Sequence, residues 1–208
     1  MLARTYACGL EGVSGYLVEV EAFVSNGMVG FEIVGLPSAA VKESRDRVRA
    51  AIAVSGYDFP FGKVTVNLAP ADVKKEGTSF ELAIAVALLC IKRPELLRGV
   101  DSTVFLGELS LQGKLMPVRG ALGMAITAAE KGFQNLILPS ANARECECLE
   151  GIRVFPADTL QQVYNHLTGE KLLSHQRPVP YQLLMAKEPP IHDLKYVKGQ
   201  KIARKALE

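Results

Sequence analysis

Tryptophan is absent from this 208-residue chain, and aromatic residues make up 7% of it. An aromatic stacking platform for single strands is therefore not expected, because such platforms lay successive bases on exposed rings. An excess of one charge is lacking too. With 24 basic and 22 acidic residues the net charge is +2, so any basic site must be local. The four cysteines, Cys8, Cys90, Cys146 and Cys148, form no C-x-x-C pair, and the histidines His166, His175 and His192 all fall late in the chain. A zinc site is not expected from that pattern, and free thiols in a reducing compartment are. The N-terminal MLARTYACGLEG has no long apolar region, so no secretory signal is visible. The longest apolar run, Leu82 to Ile91, is too short to span a bilayer. These absences point to a soluble cytoplasmic protein with no membrane partner.

What is present is enough apolar sequence, 49%, for a sizeable core. Tyr16–Ser25 alternates like a half-buried strand, and Gly30–Val34 reads as its partner after a turn at Ser25-Asn26-Gly27. Pro37 then breaks the strand, Ser38 can cap, and Gly56 closes a helix over Ser38–Ser55. Strands are expected at Lys63–Leu68, Thr103–Leu106, Leu109–Leu115, Asn135–Leu138 and Arg153–Phe155. Helices are expected at Ser79–Ile91, Gly120–Lys131, Ala141–Leu149 and Thr159–Leu167. Interleaved strands and helices make this an α/β (α+β) domain over residues 1–168. The proline-rich stretch 169–190 reads as a linker. Residues 191–208 begin something new, with a helix start at Gln200–Leu207, and the chain is expected to be a fragment of a longer protein.

The stretch KKEGTSFELAIAVALL, residues 74–89, raises a chemical question. Thr78 stands three residues before Glu81 with an apolar run behind it, the pattern of a capping box. Glu76 and Glu81 also suit the positive end of a helix dipole. Ser79 in the same stretch could instead be a nucleophile, but a serine needs a base within hydrogen-bond reach. Asp72 has no His, Cys or second acid nearby, so it does not make a metal site.

The residues from Val64 to Leu167 resemble the proteolytic domain of the Lon family. Glu76-Gly77-Thr78-Ser79-Phe80-Glu81 lies where that family carries its serine, and GELSLQGKLMPVRG, Gly107 to Gly120, follows the family pattern without a gap. The resemblance implies a ribosomal protein S5 domain 2-like, Lon-protease-like fold. It also locates the departure: the family's catalytic lysine falls on Leu122, and its next lysine on Met124. A leucine cannot take a hydroxyl proton, so Ser79 is read as a relic and no catalytic residue is expected.

Over its whole length the chain resembles magnesium-chelatase-like AAA+ proteins of the ComM/YifB type. The segments that carry this are FEIVGLPSAAVKESRDRVRAAI (Phe31–Ile52), NLAPADVKKEGTSFELAIA (Asn67–Ala85) and VKGQKIARKALE (Val197–Glu208). The resemblance implies a bacterial protein that forms a homo-hexamer and drives DNA branch migration in natural transformation and recombination. It implies ATP and Mg as cofactors of the full-length protein. No G-x-x-x-x-G-K-[ST] phosphate loop occurs in this chain, so no cofactor is expected in the fragment itself. Val197 and Gly199 correspond to a segment near the adenine in such ATPases, and are candidates for nucleotide-adjacent positions.

At about 100° per residue, Lys42, Arg45 and Arg49 fall on one line along the expected helix, beside the apolar stripe Val41, Val48 and Ile52. A line of cations suits a phosphate backbone. It also suits a solvated face with pairs such as Lys42 with Asp46. Lys74, Lys75 and Arg119 are further DNA-binding candidates, each also readable as an ordinary loop or turn residue. The partner implied is duplex or branched DNA, with recombination or DNA-uptake proteins beside it. The alternatives are a protein-interaction scaffold and a residual serine hydrolase.

Overall fold

Leu2–Glu11, for which the sequence reading expects no strand, forms β1, the strand at the middle of the domain. Its inward positions Ala3, Thr5 and Ala7 are small, so its alternation carries little hydrophobic signal. Small side chains are also what let a helix lie close overhead: the Thr5 hydroxyl donates to the carbonyl of Ala83 at 2.9 Å. The computed structural model describes residues 1–180 and 196–207.

Further elements follow in chain order: β2 (Ser14–Ser25), β3 (Gly30–Val34), α1 (Ala39–Val54), β4 (Lys63–Ala69) and α2 (Glu81–Lys92). After a short 3-10 turn come α3 (Leu97–Val100), β5 (Thr103–Phe105), β6 (Glu108–Leu109), β7 (Leu115–Met116) and α4 (Ala121–Glu130). β8 (Asn135–Pro139), a 3-10 helix over Ser140–Cys146, β9 (Arg153–Ala157) and α5 (Leu160–Thr168) complete the first unit. The sheet has seven strands in the order β3-β4-β2-β1-β5-β8-β9. β2 runs antiparallel to β1 and to β4, and the remaining neighbours are parallel. This is a mixed α/β architecture.

β3 is not the partner of β2. β4 lies between them, pairing Val24 with Val64 on one side and Phe31 with Val64 on the other. The turn after Ser25 therefore leads to a strand two places away, and the intervening strand comes from later in the chain. Both expected partners alternate, and alternation does not say which strands are adjacent. The expected strand Leu109–Leu115 is two short pieces, β6 and β7, paired as a small hairpin.

The core has two parts. One holds α1, α2 and α5 with Val18, Val20, Val64, Val66, Phe105 and Ile137 from the strands. The other holds α4 with Val104, Leu106, Leu136 and Leu138. Consecutive residues of β5 and β8 divide between the two, as alternate Cβ directions require. α2 is buried from Glu81 to Ile91, which is what a helix apolar all round does.

The first compact unit runs to Pro178 rather than to Thr168. Gly169 ends α5 in the left-handed conformation, and the chain then folds back on the β9 edge. The Leu173 N–H donates to His166 Nδ1 at 3.1 Å, and the Gln176 N–H to the Val154 carbonyl at 2.8 Å. The rings of His166 and His175 both lie against Phe155. Burial pushes His166 below its ordinary value, so the folded state favours the neutral ring and its stabilisation is lost as pH falls through the histidine range. Acidification from about pH 7.5 to about pH 5 is therefore expected to lower amide protection, measured relative to the intrinsic exchange rate at each pH, at Leu173 and Gln176, with that of β1 unchanged. The expected linker residues 181–190, residues 191–195 and His192 lie outside the described residues. The second unit begins at Val179, and its described part contains α6 (Lys201–Leu207).

Candidate nucleic-acid interface and the Ser79 cleft

α1 starts where the sequence places it. Ser38 caps it, its hydroxyl oxygen accepting from the Val41 N–H at 3.4 Å. Val41, Ser44, Val48, Ala51 and Ile52 turn inward. Lys42, Arg45 and Arg49 are all exposed along the outer face. Arg45 is oriented by backbone: its Nε donates to the Lys42 carbonyl at 2.8 Å and its Nη1 to the Phe31 carbonyl at 3.2 Å. The Arg49 guanidinium sits 5.2 Å over the ring of Phe59, which in turn lies 5.4 Å from Phe31. Among the described residues no ion pair involves Lys42, Arg45 or Arg49, and the Lys42–Asp46 pair is not formed.

Arg47, on the same helix, does something else. Its Nη2 lies 2.6 Å and its Nε 3.1 Å from Glu81 Oε1, and Glu81 Oε2 accepts from the Leu109 N–H at 2.9 Å. Glu81 is thus a buried carboxylate binding α1, the start of α2 and β6 together. The expected capping box is not made. Helix α2 begins at Glu81 with no side-chain cap, and the Thr78 hydroxyl bonds instead to Glu108 Oε2 at 2.6 Å. Burial pushes the Glu81 carboxyl upward, against the opposing pull of Arg47 and the Leu109 N–H. The available signal was a lone acid at the head of an otherwise apolar helix.

Lys74 and Lys75 separate sharply. Lys74 is exposed, with its amine 2.6 Å from Glu76. Lys75 is fully buried, its amine donating to the carbonyls of Pro70 and Val73. It is not part of a basic surface. Its backbone clamps the loop to the start of α1: the Lys75 N–H donates to the Leu36 carbonyl at 3.0 Å, and the Ser38 N–H to the Lys75 carbonyl at 2.9 Å. Desolvation pulls the Lys75 amine below its ordinary value. Lys75→Ala is expected to lower stability by about 1–3 kcal/mol in urea unfolding, through carbonyls left without a donor.

The serine lies in a cleft of about 410 Å³ lined by Leu10, Thr78, Ser79, Glu108, Arg119 and Met124 among others. Ser79 is 7% exposed, and its hydroxyl donates to the Cys8 carbonyl at 2.9 Å. Met124, where the second family lysine falls, is buried at the cleft wall. Leu122, where the catalytic lysine falls, is half-buried. The hydroxyl that a carboxylate engages here is that of Thr78, not Ser79. Arg119 is exposed at this cleft, just ahead of the left-handed Gly120 that precedes α4. In the second unit Val197 is 41% exposed and Gly199 has φ +76°, ahead of α6. Among the described residues no group of three or more His, Cys, Asp or Glu could hold a metal ion. No helix among them is long and apolar enough to cross a membrane.

Residues 20–142 match the family described as subunit ChlI of Mg-chelatase. The chain is 41% identical over 207 residues to the uncharacterized protein YifB of Salmonella typhimurium, a match covering 100% of this chain and 40% of that protein. It is 36% identical over 213 residues to competence protein ComM of Haemophilus influenzae, covering 99% of this chain and 40% of that protein. Lon protease 1 of Herpetosiphon aurantiacus is 29% identical over 161 residues, covering 74% of this chain and 19% of the protease. The chain therefore spans 40% of the length of its YifB and ComM relatives. With the mixed α/β sheet, these matches bear out the Lon-protease-like fold class read from the sequence.

Proposed function

This chain belongs to the family of subunit ChlI of Mg-chelatase, and on that footing we propose that it is a DNA-contacting, ring-organising domain without hydrolase activity of its own. The whole protein it serves is a cytoplasmic, hexameric AAA+ ATPase that uses ATP and Mg to drive DNA branch migration during natural transformation and recombination. Recombination or DNA-uptake proteins are its further partners. The observation that carries this reading is the line Lys42, Arg45 and Arg49, exposed and outside any ion pair of the described residues. Arg45 and Arg49 are also held in place, by Phe31 and Phe59, so less side-chain freedom is lost on binding. Lys74, exposed on the loop clamped to the start of α1, and Arg119, exposed at the Ser79 cleft, are further candidate contacts. Copies in a ring present the line together, which multiplies a weak single-domain affinity.

Catalysis by Ser79 is not favoured. Its proton is directed to a carbonyl, and apolar side chains occupy the positions of the two family lysines. The test is anisotropy of labelled duplex and forked DNA with the 208-residue chain across a salt series. Binding that weakens linearly in log affinity against log salt is expected. No binding at low salt and high protein concentration would replace this reading with that of a protein-interaction scaffold. In parallel, a serine-reactive fluorophosphonate is expected to leave Ser79 unlabelled, and labelling would restore the hydrolase reading.

A further inference from the structure

The loop after α1 packs the rings of Tyr57 and Phe59 against the domain and leaves that of Phe61 in water. Phe59 is partly buried against the core and lies under Arg49. Phe61, two positions on, is 82% exposed. Pro60 and Gly62 on either side of it are buried, so the ring projects from an anchored backbone. Gly62 has φ +119°, and a Cβ there would stand 2.5 Å from the Ser25 carbonyl oxygen, which restricts the position to glycine. The Gly30 N–H donates to the Gly62 carbonyl at 3.3 Å, tying this loop to the β2–β3 turn. That turn carries Met28, 92% exposed, and Val29, 51% exposed.

We propose that Phe61, with Met28 and Val29, forms an apolar tip that contacts unstacked bases at a DNA branch point. The proposal rests on the DNA reading above and adds to it what the domain recognises. The partner is argued from the charge beside the tip. The Arg45–Phe31–Phe59–Arg49 cluster joins the loop directly to the basic line of α1. Asp58 is exposed next to the loop, and Glu32 lies 3.8 Å from Lys63 just beyond it. Lys63 offsets Glu32 and Asp58 brings no cation, so the tip offers phosphate no net attraction; the sugar-phosphate backbone follows α1 and bases meet the ring. Apolar side chains inserted at unstacked steps are an established mode of contact with DNA. The scarcity of aromatic residues excludes a platform for a long single strand, but one held ring is enough for a wedge at a fork.

The experiment compares wild type with Phe61→Ser and Met28→Ser on a forked DNA and on a fully paired duplex of equal length, over a salt series. Both residues are exposed, and melting temperature checks that the fold is kept. The expected result is an affinity for the fork reduced about tenfold, with the salt slope and the duplex affinity unchanged. Phe61→Trp is expected to bind the fork at least as well as wild type. A Phe61→Ser variant that binds the fork as tightly as wild type overturns the proposal while leaving the basic line intact. The same variant with unchanged DNA binding but altered mass in solution assigns the tip to a protein contact, which also overturns it. Wild type that binds neither DNA at low salt removes the DNA reading and this proposal with it.

Discussion

Glu81→Ala is expected to destabilise the domain by about 3–5 kcal/mol, among the largest effects of any single substitution in it. The carboxylate is buried, grips Arg47 through Nε and Nη2, and accepts the Leu109 N–H. Alanine leaves the Arg47 guanidinium and a buried backbone N–H without their acceptor, and opens a cavity at the start of α2. Glu81→Gln is expected to cost much less, because the amide oxygen still accepts from Leu109 and the desolvation of a charge is removed. The Arg47→Met/Glu81→Met pair is expected to be less damaging than Glu81→Ala alone. Burial raises the Glu81 carboxyl, so the folded state takes up a proton more readily than the unfolded chain does. The stability tied to this group is therefore fullest below the ordinary carboxylate range and declines as pH rises through the raised value. Urea midpoints of the four proteins at neutral and acidic pH read all of this. A Glu81→Ala midpoint equal to wild type would show that the pair does not hold α1 to α2.

Replacing Lys42, Arg45 and Arg49 together by alanine is expected to make the salt slope of duplex binding shallower by about 2–3 and to lower affinity about 10–100-fold at low salt. Each cation that neutralises a phosphate releases a counterion, so slope and affinity fall together. Stability is expected to fall less than for Glu81→Ala, since all three side chains are exposed. The part that is lost comes from the Arg45 bond to the Phe31 carbonyl and from Arg49 over Phe59. Arg49→Lys keeps the charge and is expected to keep most of the slope. A triple variant that loses affinity with an unchanged slope would mean that these residues act through shape and not through phosphate contact.

Much of this was legible in the chain and some was not, for identifiable reasons. Helix α1 and its Ser38 cap follow from local rules, because the cap residue, the apolar spacing and the closing glycine all lie within one segment. The basic line follows from the same periodicity. β1 was hidden because its core-facing residues are Ala3, Thr5 and Ala7, chosen by the closeness of α2 rather than by hydrophobicity. The neighbour of β2 was misassigned because pairing between distant segments leaves no local trace. Thr78 and Glu81 have the spacing of a capping box, but each finds a stronger distant partner, Glu108 for one and Arg47 for the other. Lys74 and Lys75 look alike in sequence, and only the fold shows that one amine is in water and the other is enclosed by carbonyls. Phe61 carries no sequence signal of exposure, since Phe59, the same residue type on the other side of Pro60, is partly buried.

Lysine acetylation footprinting of the 208-residue chain with and without duplex DNA tests whether α1 lies against the phosphate backbone. Lys42 is expected to be strongly protected by DNA, and Lys131, exposed at the end of α4 in the other part of the core, to react equally in both states. Lys75 is expected to react slowly throughout, because its amine is buried. Equal acetylation of Lys42 with and without bound DNA, at a concentration where anisotropy shows the duplex to be bound, would contradict the assignment of α1 as the contact.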